Sequence, residues 1–483
     1  MKKTIALLLA MAIVIASFAG CSNSTPASSG GSSTPASNST GGGNGNGSGG
    51  SMEGREVNLV GSVRTYPGMD ADWDTAVAQF KEETGITVNL RWQGQWNEIA
   101  QNMTAAKLAN EKVDIFTAGA GLVNSTLARS GAIKDVTQLF EPLKGRFVDG
   151  MLDYYTIGDH LWGIPYGGAS SCAVFYNKTI YDELGLSVPK TFDEFAANAK
   201  VITEKKPGIM PMVHQGKASW WWPAWFFETY AQTSGNKSVQ NVIDFLQDKR
   251  TMSGPEEIAA FQAINDFFTA GILTSDSLET DQDGMYAAFA QQKAVHIFGA
   301  TTIYAAVDPL INGSFEFGIF DFPLITDDPN VTPQHGGGPD DALVIPQFAD
   351  DNNLDATMSF FEFLLRPETA NLILEKAKFL IPAITGMDSA DTPITDQLNE
   401  QFLPETIKYL DWIWPVEVND VFVQDIPAVL IGSITPEEAA QDIDKALATV
   451  KEEKDFQYDW WTLWTDDDWA KVTPTVIPEI NVK

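Results

Sequence analysis

The sequence predicts an α/β protein, sheets with helices packed on them, and three observations carry that prediction. Short apolar strands alternate with amphipathic helices near the start of the folded body. Hydrophobic residues make up 44% of the 483 and include 14 Trp, enough for a large buried core. Only Cys21 and Cys172 occur, so packing rather than disulfides must hold the fold. Charge narrows the partners: 31 Lys and Arg stand against 64 Asp and Glu, and a net charge of -33 repels a polyphosphate. Nucleic acid is therefore excluded as a partner.

Residues 1–20 carry Lys2 and Lys3, an uninterrupted apolar run and then small residues, the three-part pattern of a secretory signal. Ala19-Gly20-Cys21-Ser22 resembles a bacterial lipobox, although Phe18 stands where a Leu-type residue is usual. The resemblance implies cleavage before Cys21 and diacylation of its thiol. The protein is then expected on the outer face of the cytoplasmic membrane, cell surface or periplasmic side, held by the lipid anchor only. Residues 21–54 form the anchored linker, and their Ser/Gly-rich stretch at 22–52 holds no charge. Such a chain is a flexible coil with a reach on the order of 30 Å.

The folded body opens with a strand at 56–63, a helix at 72–84 with Trp73, Val77 and Phe80 on one face, and a stop at Gly85. A second strand at 86–90, a helix at 96–109 and a third strand at 113–116 complete a β-α-β-α-β unit. Units of this kind build parallel sheets that place binding loops beyond the carboxyl ends of their strands, which points to residues 64–66 and 117–122. Further helices are expected at 191–203, 255–270, 355–365, 367–378 and 436–451, several opening on Thr or Pro.

The order of later segments resembles the extracellular solute-binding proteins of bacterial ABC importers, in the maltose-binding-protein-like, carbohydrate-binding group. The residues that carry it are Asp159-His160-Leu161-Trp162-Gly163-Ile164-Pro165-Tyr166, then Cys172-Ala173-Val174-Phe175-Tyr176-Asn177-Lys178, then Pro189-Lys190-Thr191-Phe192-Asp193-Glu194-Phe195. It continues through Phe317-Gly318-Ile319-Phe320-Asp321-Phe322-Pro323 and Phe361-Glu362-Phe363-Leu364-Leu365. The resemblance implies the two-lobe periplasmic-binding-protein-like fold of type II, each lobe a mainly parallel sheet flanked by helices, with the ligand cleft at the hinge. Lobe 1 is expected to hold 55–166 plus about 345–390, and lobe 2 to hold 167–344 plus about 391–483. Crossings between lobes are implied at 164–173, 336–346 and 384–398.

A sugar offers an apolar C–H face and a girdle of hydroxyls, so it needs aromatic platforms beside polar acceptors. Trp220-Trp221-Trp222-Pro223-Ala224-Trp225 sets four indoles in six residues, and no single helical face buries them all. Trp222 and Trp225, at i and i+3, suit a core, which leaves Trp220 and Trp221 for the cleft. The resemblance brings Arg64, Tyr66, Ser170, Thr301, Thr302, Asp340, Asp341, Trp412, Trp414 and Glu417 to the same cleft. Simple packing of Trp412 and Trp414, and a solvated turn at Asp340-Asp341, are the plainer explanations of those residues. After the third strand, where relatives often carry a charged or aromatic contact, this chain has Thr117-Ala118-Gly119-Ala120.

Catalytic patterns do not occur. His160, His214, His296 and His335 are scattered, and there is no HExxH, GxSxG or phosphate-binding Gly-Lys-Ser/Thr loop. Residues 279–284 look like half of a calcium loop, but the twelfth position is Ala290, which cannot ligate. Cys172 lies in an apolar strand and reads as an inert thiol. The expectation is a monomeric non-enzyme without metal or cofactor that captures a sugar or oligosaccharide and delivers it to ABC importer permease subunits. An amino acid or peptide clamped by Arg64, another polar solute, a lipid-anchored carbohydrate-active enzyme, and a surface adhesin are the alternatives.

Overall fold

The computed structural model describes residues 52–62, 69–93, 98–128, 130–157, 160–217, 221–339, 341–374 and 381–452. The signal, Cys21, the linker up to residue 51 and the Trp-rich tail lie outside the described residues, and so do Arg64, Tyr66, Trp220 and Asp340.

Strands β1 (Glu56–Gly61), β2 (Thr87–Trp92) and β3 (Ile115–Gly119) run parallel, with β1 in the middle. Val57 and Leu59 on β1 are fully buried while Glu56 is exposed, the alternation that marks a strand. The helix Met69–Thr84 follows β1 and ends at Gly85, whose φ of 74° admits a glycine at little cost. Trp73, Ala76 and Phe80 bury its inner face, and Phe80 packs 5.0 Å from Phe360 of the helix Leu354–Leu364. The third strand begins two residues later than the sequence suggests. Thr117 to Gly119 are strand rather than loop, because β12, below, pairs with them.

A small hairpin, β4 (Thr156–Ile157) with β5 (His160–Leu161), precedes β6 (Ile164–Pro165) and the ten-residue β7 (Gly168–Asn177), every residue of which is buried. The remaining strands are β8 (Met210–Met212), β9 (Ala294–Ala300), β10 (Phe317–Phe320), β11 (His335–Pro339), β12 (Asp341–Val344), β13 (Ile381–Pro382) and β14 (Thr406–Lys408). They make a first sheet in the order β2-β1-β3-β12-β6 and a second in the order β14-β11-β7-β9-β8, with β10 and β13 also pairing β7.

Both sheets are mixed rather than mainly parallel. In the first, β12 lies antiparallel to β3 and β6. In the second, β7 is antiparallel to β9, β10, β11 and β13, while β8/β9 and β11/β14 remain parallel. The cause is topological: β6–β7 and β11–β12 are two antiparallel chains that each run from one sheet into the other.

Helix starts follow side-chain chemistry legible in the sequence. Thr435 accepts from the Glu438 amide at 3.2 Å while the Glu438 carboxylate accepts from the Thr435 amide at 2.8 Å, a reciprocal cap on the helix Pro436–Glu452. Thr191 caps Phe192–Lys205 through the Glu194 amide. The acidic run at 279–284 is also a cap: Asp281 accepts from the Gly284 amide at 2.9 Å to start the helix Gln282–Ala290. Among the described residues, no helix is long and apolar enough to cross a membrane.

Candidate binding cleft at the crossing strands

The cleft is built where the chain passes between sheets. The Tyr166 amide donates to the Asp341 carbonyl at 2.9 Å, and Ser170 on β7 faces Gly338 on β11 in register. A third passage joins them, since β13 pairs with β7 at Gly168 and the Ala383 amide donates to the Gly167 carbonyl at 3.1 Å. Tyr155 Oη donates to the Pro339 carbonyl at 2.6 Å and fixes the end of β11. Gly338 has a φ of 124°, and a Cβ there would lie 2.2 Å from the Tyr154 ring, so only glycine fits.

An aromatic cluster stands over these strands. Trp412 meets Tyr409 at 5.1 Å and Tyr154 at 6.1 Å, both edge-to-face, and Tyr409 meets Trp221 at 6.5 Å. Cys172 Sγ lies 3.4 Å from Tyr409 Oη, which puts this cluster on the face of β7 that Ser170 shares by alternation. Lys408 Nζ lies 5.7 Å from the Tyr154 ring centroid, a cation over an aromatic face, and is itself buried. Burial pushes the Tyr154 hydroxyl up to about 12, with the Asp153 charge adding to it. Burial also raises the Cys172 thiol well above its ordinary range, so it stays protonated and inert.

A second polar centre anchors β11 from behind. Glu228, on the helix Trp222–Thr233, accepts from the Gly336 amide at 3.0 Å and lies 3.3 Å from His335 Nδ1. Asp321 lies 3.4 Å from His335 Nε2. Burial alone would lower the imidazole, but the Asp321 and Glu228 carboxylates outweigh it and lift His335 to about 9. His214 is the opposite case: wholly buried against Trp222 and Trp225, with no hydrogen-bond partner for either ring nitrogen among the described residues, it is lowered to about 3 by burial.

The structure brings Trp221 and Trp412 against Tyr409, while Ser170 lies opposite Gly338 on β11 and Asp341 is half-buried at the start of β12. Thr301 is buried and structural: its amide donates to the Ser171 carbonyl at 2.9 Å and its hydroxyl accepts from the Ser171 amide at 3.2 Å, while half-buried Thr302 precedes the helix Ile303–Ile311. Two residues are corrected. Trp414 is fully buried and stacked on Phe422 at 4.8 Å, so it belongs to the core. Glu417 is exposed in the first turn of Val416–Leu430, where its charge suits the helix amino end, and no contact joins it to the aromatic cluster among the described residues. Trp222 and Trp225 are fully buried, as their spacing predicts, and Trp222 Nε1 donates to the Gly216 carbonyl at 2.9 Å.

A family model described as bacterial extracellular solute-binding protein matches residues 66–371. The chain belongs to this family. Its fold is that of a solved chitin oligosaccharide binding protein, with a TM-score of 0.70 and 18% identity, covering 82% of this chain and 98% of the other. A multiple sugar-binding protein from Streptococcus mutans is 26% identical over 178 residues, 35% of this chain and 40% of the relative. An uncharacterised ABC transporter extracellular-binding protein from Pyrococcus horikoshii is 27% identical over 114 residues, 24% of this chain and 26% of the relative. The chain thus matches well under two thirds of the length of those two relatives. The solute-binding family and the two-lobe α/β fold agree with the reading of the sequence.

Tyr154, Lys408 and Tyr409 join this buried aromatic cluster, and sequence reasoning missed them. Tyr409 carried a weak signal, because Lys408-Tyr409-Leu410-Asp411-Trp412 mixes charge and aromatic residues just as Trp412 does. Tyr154 carried none, since nothing local places it beside Gly338.

Proposed function

We propose that this solute-binding protein is tethered outside the cell, captures a sugar or oligosaccharide, and delivers it to an ABC importer. The observation that carries the reading is the group of Trp221, Tyr409, Trp412 and Tyr154 gathered at the strands that cross between sheets. Aromatic faces at such a place suit the C–H face of a pyranose, and Ser170 and Asp341 beside them suit its hydroxyls. The names of the chitin-oligosaccharide-binding and multiple-sugar-binding relatives support the same ligand class.

Residues 55–166 with 341–374 form one closing lobe, and 168–339 with 381–452 the other, because β12 lies in the first sheet and β13 and β14 in the second. Ligand held by both lobes shifts the open–closed balance by its differential affinity for the closed form. Diacylated Cys21 holds the protein to the membrane, and the monomer hands ligand to permease subunits without chemistry on it. A thermal-shift screen tests the ligand class, because a ligand that binds only the folded state raises its stability by RT ln(1+[L]/Kd). An oligosaccharide should raise the melting temperature where free amino acids do not. For the tether, Cys21→Ala should leave the membrane fraction or remain unprocessed, and unchanged acylation of that variant would refute the anchor.

A further inference from the structure

The residue that follows the end of the third strand makes a contact that its position in the sequence does not announce. Gly121 sits in the short helix Ala120–Leu122, immediately after β3 of the first sheet. Trp412 sits in the turn Leu410–Trp412, just past β14 of the second sheet. A Cβ on Gly121 would fall 2.5 Å from Trp412 Cδ1, 3.1 Å from Nε1 and 3.3 Å from Cγ. The indole therefore rests directly on the Gly121 backbone, at an approach no side-chain-bearing residue allows. Backbone conformation is not what requires glycine here: Gly121 is absent from the positive-φ positions, and alanine could adopt its dihedrals. Only the neighbour excludes a methyl group.

We propose that Gly121 and Trp412 form a clasp between the end of β3 in the first sheet and the end of β14 in the second, which biases the ligand-free protein toward the arrangement in which these ends touch and fixes where the Trp412 indole stands. The indole is 6% exposed in a largely buried turn, and its other neighbours, Tyr409 and Tyr154, hold it edge-to-face so that it cannot lean away from Gly121 without breaking both contacts. The missing side chain of Gly121 is what clears the space the indole occupies. The clasp is made by protein alone, so it operates whatever the ligand is. It bears on the proposed sugar site only by setting the position of one aromatic wall.

The test is small-angle scattering of the ligand-free protein with Gly121→Ala, Trp412→Ala and the double variant, each checked for a cooperative melt. A methyl forced into a filled space typically shifts a packing equilibrium by roughly 5- to 150-fold. Gly121→Ala should therefore expand the particle while the melt stays cooperative. Trp412→Ala should expand it too, and the double variant should expand no further than Trp412→Ala, because both substitutions remove one contact. A Gly121→Ala particle as compact as the wild type would overturn the proposal. So would additive expansion in the double variant, or a Gly121→Ala chain without a cooperative melt, which would make the glycine a requirement of folding. None of these outcomes depends on which solute binds, so the clasp can fail while sugar binding stands, and the reverse.

Discussion

Replacing Trp225 by Ala should cost stability and leave the ligand contact chemistry intact. Trp225 is fully buried, with its ring centroid 5.2 Å from Phe298, 5.5 Å from Phe267, 5.5 Å from Phe322 and 5.6 Å from His214. Four aromatic neighbours cannot collapse into the space an indole leaves, because each is held by its own element. Truncating such a side chain costs about 3–5 kcal/mol, the lost transfer energy plus the cavity. Against a total of roughly 5–15 kcal/mol for a folded domain, that is a large share. At about 2–4 °C per kcal/mol for a unit of 150–250 residues, the melting temperature should fall by about 6–20 °C. Urea titration should show a lower midpoint with an unchanged slope. Trp221→Ala should separate from it: loss of a stacking platform is about 1–3 kcal/mol by analogy with aromatic stacking on a planar base, or about 5- to 150-fold in affinity. Full ligand affinity in Trp221→Ala, or a Trp225→Ala melt within about 1 kcal/mol of wild type, would refute the division between core and cleft indoles.

Gly338→Ala should destabilise by about 1–3 kcal/mol, since it combines a φ of 124° with a Cβ 2.2 Å from Tyr154; an unchanged melting temperature would contradict the packing of the crossing strand. His335 stands at about 9, above its unfolded value, so the stability it contributes is fully present below about pH 6.5 and is lost as pH rises through about 9. The fall in urea midpoint between pH 7 and pH 10 should therefore be smaller in Glu228→Gln, which lacks one of the two carboxylates that hold the charge, than in the wild type. An equal fall in both would count against the assignment. Asp425 is raised to about 6, by burial first and then by Asp442, so its ionised form is disfavoured in the fold and stability is given up as pH rises through about 6. Asp425→Asn should raise the melting temperature at pH 8 and leave it nearly unchanged at pH 4, and a lower melting temperature at pH 8 would show that the carboxylate is favourably held.

Much of the fold was legible because its signals are local. The helical spacing of Trp73, Val77 and Phe80, of which Val77 is only partly buried, the Thr435 and Thr191 caps, and the alternation in β1 each follow from short-range chemistry. Strand direction in the second sheet was not legible. Whether β7 runs with or against β9 and β11 depends on where distant strands arrive, and no window of sequence carries that. The pairing of Trp222 and Trp225 as core residues was readable from their i, i+3 spacing.

The cleft was readable in part. Trp412 lies beside Trp414, and the sequence offered no reason to send one to the cleft and the other to the core. The structural reason is that Trp414 meets Phe422 and Phe227 from two helices, while Trp412 turns toward Tyr154. Glu228 and His335 escaped notice because their partnership spans 107 residues and neither lies in a motif. The Gly121 contact was equally hidden, because only the position of Trp412, far away in sequence, shows what the missing side chain makes room for.

The central claim, capture of a carbohydrate without chemistry on it, is tested most directly by isothermal titration of the exported body with a panel of oligosaccharides and amino acids, followed by chromatography of the recovered solute. Saturable binding near one equivalent by at least one oligosaccharide is expected, with that sugar recovered intact. Binding confined to amino acids or peptides, or recovery of a cleaved sugar, would contradict it.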